Sequence, residues 1–581
     1  MTLALYGLPV SRGIAIGKVY VLSRGDLDIA EYSIASAEIE NEVTRFQQAI
    51  TLANEQLQQV LQHIPSVTPL DIRSFIDTHL LMLNDRAISQ APIDIIRERA
   101  CNAEWALKLQ RDALVKVFDA MDDAYLKTRQ DDVDYVVSRI QRILLNQSPT
   151  PMEGGAGYLK DAIILADDLS PADTVLMQNL GVAAFVTEYG GTNSHTAILA
   201  RSLGIPAVVG VHDARRYLNH GEQVIVDGRH GAMLAGIDDA VFHYYQTKHY
   251  EDLAYQSALE RLREQPAVTQ DGYKIDMLAN VELPEDLVAI ERFGAEGIGL
   301  FRTEMLFLNK DAMPSEQEQL DEYLKVVKAA KGSLVVIRTL DVGCDKEVAW
   351  SHHVSTAVFN PALSLRGVRL SLRDAAVFKT QLRAILRVSA HGPVAIMVPM
   401  LSNIYEVRHL LSLIAEAKAE LHVEGMPYDE EVSIGGMIEV PAVALMAPEL
   451  ARYLDFLSIG TNDLIQYAIA ADRIDDSVNY LYDPLHPGVL RLVQMIIEAG
   501  NRAKIPVSMC GEMAGDIRYT RLLIGLGLKT FSMHPAFLLE VKRLVNNSNF
   551  SQLKDKVNKA MRANDTFAIS ALVDELNADD L

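Results

Sequence analysis

The residues in this sequence best suited to chemistry are arginines and carboxylates that recur where apolar runs end. Arg302 closes the run GIGLF, Arg338 follows LVVI, and Arg366 and Arg473 come later in loops. Glu439 follows GGMI, Asn462 and Asp463 close the run FLSIGT, and Cys510 follows PVSM. Several guanidiniums aimed at one point suit a small anion bearing carboxylate and phosphate, because Arg binds both bidentately. Two carboxylates beside that anion would be repelled unless a metal lay between, which makes Glu439 and Asp463 candidate ligands for Mg2+. The plainer reading is a pair of Arg–carboxylate salt bridges, with Cys510 a buried apolar cysteine.

A second candidate stands apart from these. The segment EYGGTNSHTAILARSLGIPAVVG reads as strand, Gly-Gly loop, His195, a helix over 196–203, and strand. Free N–H groups and partial positive charge at a helix start favour a neutral imidazole and bind phosphate. A neutral ring nitrogen is a nucleophile. It is equally an ordinary hydrogen-bonding group at a helix N-terminus, and both readings stand. His353, His486 and His534 read as structural or surface residues.

Elements able to hold these residues follow from the apolar pattern. From about residue 266, eight strand-like runs alternate with helices: 274–281, 297–304, 334–341, 395–400, 433–440, 456–463, 506–513 and 530–535. The economical reading is a C-terminal (β/α)8 TIM barrel over 266–581, whose chemistry would sit where strands end. Residues 1–25 and 150–236 alternate short strands with helical pieces and read as one α/β domain. Between them lies 26–149, of which 33–147 is nearly free of Gly and Pro. Its first helix places Ile39, Val43, Phe46, Ile50, Leu57, Val60, Leu61 and Ile64 on one face and stops at Pro65. The expectation is therefore a multidomain α/β protein with a helical bundle inserted in its first domain and a polar connecting helix at 237–265.

Composition narrows the partners. The 581 residues carry a net charge of −23, which argues against nucleic acid and anionic lipid. No run of 18 apolar residues and no basic leader is found, and three cysteines (Cys101, Cys344, Cys510) make no disulfide framework. A cytoplasmic protein without a membrane or nucleic-acid partner is expected.

The motifs GGTNSHTAILARSLGIPAVVG, FGAEGIGLFRTEMLF, RTLDVGCDKE, NPALSLRGVRL, GGMIEVPA, SIGTNDLIQYAIAADR and MCGEMAGD resemble, in this order, those of Enzyme I of the bacterial phosphoenolpyruvate:sugar phosphotransferase system. The resemblance runs through essentially the whole chain. It implies phosphoenolpyruvate as phosphoryl donor, His195 as acceptor and the carrier protein HPr as recipient. By motif position, Arg302, Arg338, Arg366 and Arg473 would hold phosphate and carboxylate, helped by Asn462 and Lys346. Glu439 and Asp463 would bind Mg2+, and Cys510 would protonate the enolate. The resemblance further implies a homodimer formed through the barrel and HPr docking on the helical insertion; because one His195 must then meet both phosphoenolpyruvate and HPr, a swing on the connector near 237–266 is expected. The acidic run 119–134, with six Asp against one Lys and one Arg, is a candidate part of the docking surface or simply a solvated face. Asn193, Cys344 and Ser364 depart from the family pattern.

Two rival functions are open to the same motifs. A dikinase or phosphoenolpyruvate synthase shares them, but its nucleotide-binding domain has no room in an insertion of about 115 residues. The other rival is a regulatory protein that senses phosphoenolpyruvate or a carrier.

Overall fold

The computed structural model describes residues 2–578, apart from 23–28, 64–69, 120–123, 146–158, 170–173, 175–176, 178–179, 192–195, 198–199, 201–203, 283–285, 308–311, 343–360, 474, 476 and 563–564. The chain forms two compact units, residues 1–256 and 257–581.

In the first unit, eight strands make one sheet: β1 (Leu3–Tyr6), β2 (Leu8–Ser11), β3 (Ile14–Leu22), β4 (Ala162–Ala166), β5 (Ala184–Thr187), β6 (Ala207–Val209), β7 (Gln223–Asp227) and β8 (Ala232–Ala235), in the order β1-β8-β7-β3-β4-β5-β6-β2. The centre, β3 to β6, is parallel, with Val19 opposite Ile163 and Ile163 opposite Ala184. Alternation puts Ile163, Leu165 and Val186 in one core and Ile164, Ala166 and Phe185 in another, so both faces are covered. Between β3 and β4 the chain leaves the sheet to build a helical bundle. Its main helices are Ile39–His63, Leu70–Asn84, Ala91–Arg99, Ala103–Asp119 and Ala124–Leu144. Val43, Phe46 and Leu57 from the first helix meet Ile76, Leu83, Val136 and Ile140 in its core. Val60, Leu61, Ile64 and Pro65 lie outside the described side chains. The polar connecting helix is Asp239–Arg261, with Leu259 buried.

The second unit contains a closed barrel: β9 (Asp276–Val281), β10 (Ile298–Arg302), β11 (Val335–Arg338), β12 (Val394–Val398), β13 (Ser433–Ile438), β14 (Phe456–Ile459), β15 (Val507–Met509) and β16 (Thr530–Met533). Every neighbouring pair is parallel and β16 closes on β9. Outward residues such as Val335, Ile337, Ile396 and Leu457 join the layer under the helices, while Leu300, Val336, Ala395, Met397 and Met437 fill the interior. Lys542, itself 1% exposed, donates to the carbonyl oxygens of Leu262, Arg263 and Gln265 at 3.4, 3.1 and 2.9 Å, which fixes the chain to the barrel where the connecting helix ends. Among the described residues, no helix is long and apolar enough to cross a membrane.

The strands are shorter than their apolar runs suggest. The sixth stops at Ile459, and Asn462 and Asp463 do not close it; they lie in the first turn of the helix Thr461–Ile469. The break falls at Gly460, which leaves the extended conformation at φ −91°, ψ 80°.

The helix Ile404–Glu424 after β12 starts in a reciprocal cap: Asn403 accepts from the Glu406 N–H and Glu406 from the Asn403 N–H. Asn403→Ala should cost about 1 kcal/mol in urea unfolding of the barrel.

Candidate active site

Period two along each strand builds the barrel mouth. Leu300, Val336 and Met437 point inward, so the residues two further on, Arg302, Arg338 and Glu439, continue that face to the C-terminal rim. Cys510 stands just beyond β15 and joins the same interior cluster. In β14 the equivalent position is Gly460. A Cβ there would stand 2.8 Å from Glu439 Oε2, so glycine leaves the space the carboxylate occupies.

At the centre of the mouth is a buried carboxylate, Asp341, three residues past Arg338. Arg366 pairs with it through two bonds, Nε to Oδ1 at 3.1 Å and a terminal nitrogen to Oδ2 at 2.9 Å. Arg338 approaches Oδ2 at 3.2 Å and also donates to Glu304 Oε1 at 3.0 Å. The Asp341 N–H donates to that same Glu304 oxygen. Burial alone would raise the Asp341 pKa, but Arg338 and Arg366 overcome it and hold the carboxyl below its ordinary range. Arg366 also reaches Asp463 Oδ2 at 3.4 Å. Behind the two strand ends, Thr303 donates to the Arg338 carbonyl, and Gln381 ties Thr303, Tyr323 and the Leu340 N–H together. Gly367, at φ +55°, turns the chain directly after Arg366 and passes close to Met400 and Asp341.

Asp341, Glu439 and Asp463 each place an oxygen within 4.8 Å of the others. Glu439 is 1% exposed and accepts from the Met400 N–H at 2.6 Å. Burial first, and then the negative Asp463 and Asp341, push its carboxyl up to about 8. An all-oxygen donor set in which like charges crowd enough to retain a proton fits a hard divalent cation, which would take that proton's place.

The thiol of Cys510 is buried and receives a hydrogen bond from Ser458 Oγ at 3.3 Å. Burial raises its pKa, partly offset by Ser458, Arg338 and Arg302, so it is protonated at neutral pH. Its backbone is held as well: Ser532 donates to Asn280 Oδ1 at 2.6 Å, and Asn280 donates to the Cys510 carbonyl at 3.0 Å.

The structure therefore gathers Arg338, Arg366, Glu439 and Asp463, with Arg302 on the rim bonded to Glu282 at 3.2 Å. The Asn462 side chain is engaged with Glu512, donating to its carboxylate at 3.0 Å and accepting its N–H at 2.9 Å. Arg473 is exposed and lies beside Tyr482, which Asp463 also influences. Arg366 joins Asp463 in one of the salt bridges that the plainer reading anticipated. His195, Lys346, Asn193, Cys344 and His353 lie outside the described residues, as does the helix start at 192–195. Next to them, Thr196 is buried and donates to the Leu169 carbonyl at 2.6 Å, and Glu188 before the Gly-Gly turn accepts from the Arg215 guanidinium and N–H. His486 and His534 are N-terminal caps that accept from Gly488 and Ala536 N–H groups.

Asp341 and Glu304 were missed from the sequence. The available signal was charge balance: buried arginines at a strand end need carboxylates nearby, and RTEM and RTLD each offer one within three residues of the arginine.

Comparison with known proteins agrees with this geometry. Residues 256–550 match the PEP-utilising enzyme, PEP-binding domain; 6–129 match the N-terminal domain of such enzymes, and 159–231 their mobile domain. The chain belongs to the PEP-utilising enzyme family. Relatives named phosphoenolpyruvate-protein phosphotransferase occur in Cupriavidus necator, at 43% identity over 97% of this chain and 98% of that protein, and in Bacillus subtilis, at 37% over 98% and 99%. A solution NMR structure of Enzyme I aligns with 42% of this chain and 98% of its own, at 29% identity and TM-score 0.38. In this PEP-utilising enzyme, the matched PEP-binding segment contains every residue of the mouth described above.

A pH dependence follows from Glu439. Without a cation, the folded protein keeps a proton there up to about pH 8, whereas the unfolded chain releases it near 4.5. The native state then binds more protons between those values, so stability is full below the lower one and is lost as pH rises through the upper one. Denaturant unfolding of metal-free protein across that window should show this decline, and Glu439→Gln should flatten it.

Proposed function

We propose that this chain takes a phosphoryl group from phosphoenolpyruvate onto His195, releases pyruvate, and passes the group to an HPr-type carrier protein, as a phosphoenolpyruvate-protein phosphotransferase. The observation that supports this best is the paired-charge mouth: guanidiniums pre-set around buried carboxylates, with a protonated thiol beside them.

Arg302, Arg338, Arg366 and Arg473, with Asn462 and Lys346, bind the substrate's phosphate and carboxylate. Mg2+ on Glu439 and Asp463, beside Asp341, would draw charge from the transferring group. The imidazole nitrogen of His195 attacks phosphorus in line as the bond to the enol oxygen breaks. The enolate left behind takes a proton at its methylene carbon from the Cys510 thiol and becomes pyruvate. Thr196, next in sequence to His195, is anchored to the Leu169 carbonyl.

The proposed division of labour gives 26–149 the carrier docking, 1–25 with 150–236 the phosphohistidine, 237–265 the connection, and 266–581 the phosphoenolpyruvate site and a homodimer contact. A cytoplasmic location fits a carrier-linked reaction, in sugar uptake or in a regulatory branch.

The test is incubation with labelled phosphoenolpyruvate, Mg2+ and HPr. Wild type should acquire an acid-labile phosphate and pass it on, and His195→Ala should acquire none. Cys510→Ala should slow pyruvate release by roughly 10²–10⁴-fold, the usual worth of a positioned general acid. Labelling from ATP instead would identify a dikinase.

A further inference from the structure

On β14 and β15 the inner face of the barrel carries hydroxyls, where β10 to β13 place Leu300, Val336, Ala395, Met397 and Met437. Ser458 on β14 and Ser508 on β15 are register partners, both two residues below the mouth positions Gly460 and Cys510. Their hydrogen bonds form a line: Ser508 Oγ donates to Ser458 Oγ at 3.0 Å, and Ser458 Oγ donates to Cys510 Sγ at 3.3 Å. The thiol in turn faces the Ile459 carbonyl at 3.7 Å. Cys510 is 4% and Ser458 0% exposed, but Ser508 is partly exposed. The first two are shut off from bulk water, and of the three only Ser508 keeps appreciable exposed surface. Every donor in the line points toward the sulfur.

We propose that Ser508 and Ser458 relay a proton to the Cys510 sulfur, so that the proton given to the substrate carbon is replaced through the barrel interior rather than across the charged mouth. This rests on the reading of Cys510 as the acid. When the enolate's electron pair forms the new C–H bond, the S–H bond breaks and leaves a thiolate. The thiolate takes the Ser458 hydroxyl proton, Ser458 takes that of Ser508, and Ser508 takes one from water, which leaves as hydroxide. Both hydroxyls end neutral, and the net change is one proton moved from solvent to carbon. In reverse, the same line carries a pyruvate methyl proton out to solvent. On the mouth side, Arg338 and Arg366 are committed to Glu304 and Asp341, and Glu439 would give up its proton to the cation. Ser458 and Ser508 are relay and positioning residues, since neither touches the reacting carbon.

The experiment follows loss of the pyruvate methyl signal by NMR in D2O, using the full-length protein with Mg2+ and unlabelled pyruvate. Ser458→Ala should slow exchange roughly tenfold or more, at the low end of proton-transfer effects, with the KM for pyruvate little changed. Ser508→Ala should slow it less, and Ser458→Thr, which keeps the hydroxyl, should restore most of the rate. The rate plotted against the deuterium fraction of the solvent should curve for wild type, as several protons move together, and straighten in Ser458→Ala. If Cys510→Ala loses exchange while both alanine variants keep wild-type rates and curvature, the relay is wrong and the reading of Cys510 survives. If Cys510→Ala still exchanges, the reading of Cys510 fails and the relay with it. Should Ser458→Ala not fold, Ser508→Ala and Ser458→Thr decide the matter alone.

Discussion

The barrel mouth depends on one buried carboxylate held between two guanidiniums. Asp341 has a side chain 1% exposed, and a lone ionised carboxylate at that depth would take up a proton instead. Arg338 and Arg366 keep it charged, and it orients both of them before any substrate arrives. The same reasoning applies to the arginines. Arg338 is itself 11% exposed and tolerates burial because Glu304 and Asp341 take its terminal donors. A mouth built this way is close to neutral yet strongly structured. An entering anion meets donors that need little reorganisation, and that is where electrostatic catalysis gains most.

Much of this was readable from residue types and spacing. Strand ends that deliver Arg302, Arg338, Glu439 and Cys510 to one rim follow from period two and a barrel, and those residues are where that reading puts them. The helical insertion between β3 and β4 was equally visible, since Gly vanishes and Pro becomes sparse in the segment while helical spacing sets in. What failed was the precision of strand ends. SIGTND looks continuous, but Gly460 bends the chain and Asp463 reaches the site from a helix. Asp341 escaped attention for a different reason. Its importance lies in partners that come from β11 itself and from a loop 25 residues further on, and only the folded chain shows that they converge.

The three carboxylates and the two interior arginines are best understood together. Asp341 is below its ordinary pKa and Glu439 far above, although both are buried in the same few ångströms. The difference is ownership of the guanidiniums. Asp341 holds Arg366 bidentately and shares Arg338, whereas Glu439 has one backbone N–H and two negative neighbours. Where a set of like charges leaves one member uncompensated, that member marks where positive charge is missing. The geometry thus separates two tasks: Asp341 orients arginines, and Glu439 beside Asp463 is left short of positive charge.

Cys510 sits on the border between this charged rim and the packed interior, and each side acts on its proton differently. Guanidiniums at the rim favour a thiolate, while burial favours the thiol, and burial prevails. The raised pKa keeps the proton on the sulfur at neutral pH, the form an acid would need, whereas a nucleophile would need the thiolate. The strand just below makes the same choice sterically. Met397 and Met437 fill the interior around the thiol, and the space beside the sulfur is given to a hydroxyl. Interiors of this kind are usually filled by Val, Ile and Leu. That two buried or half-buried hydroxyls occupy those places, each donating toward the sulfur, is therefore a feature that packing alone does not require.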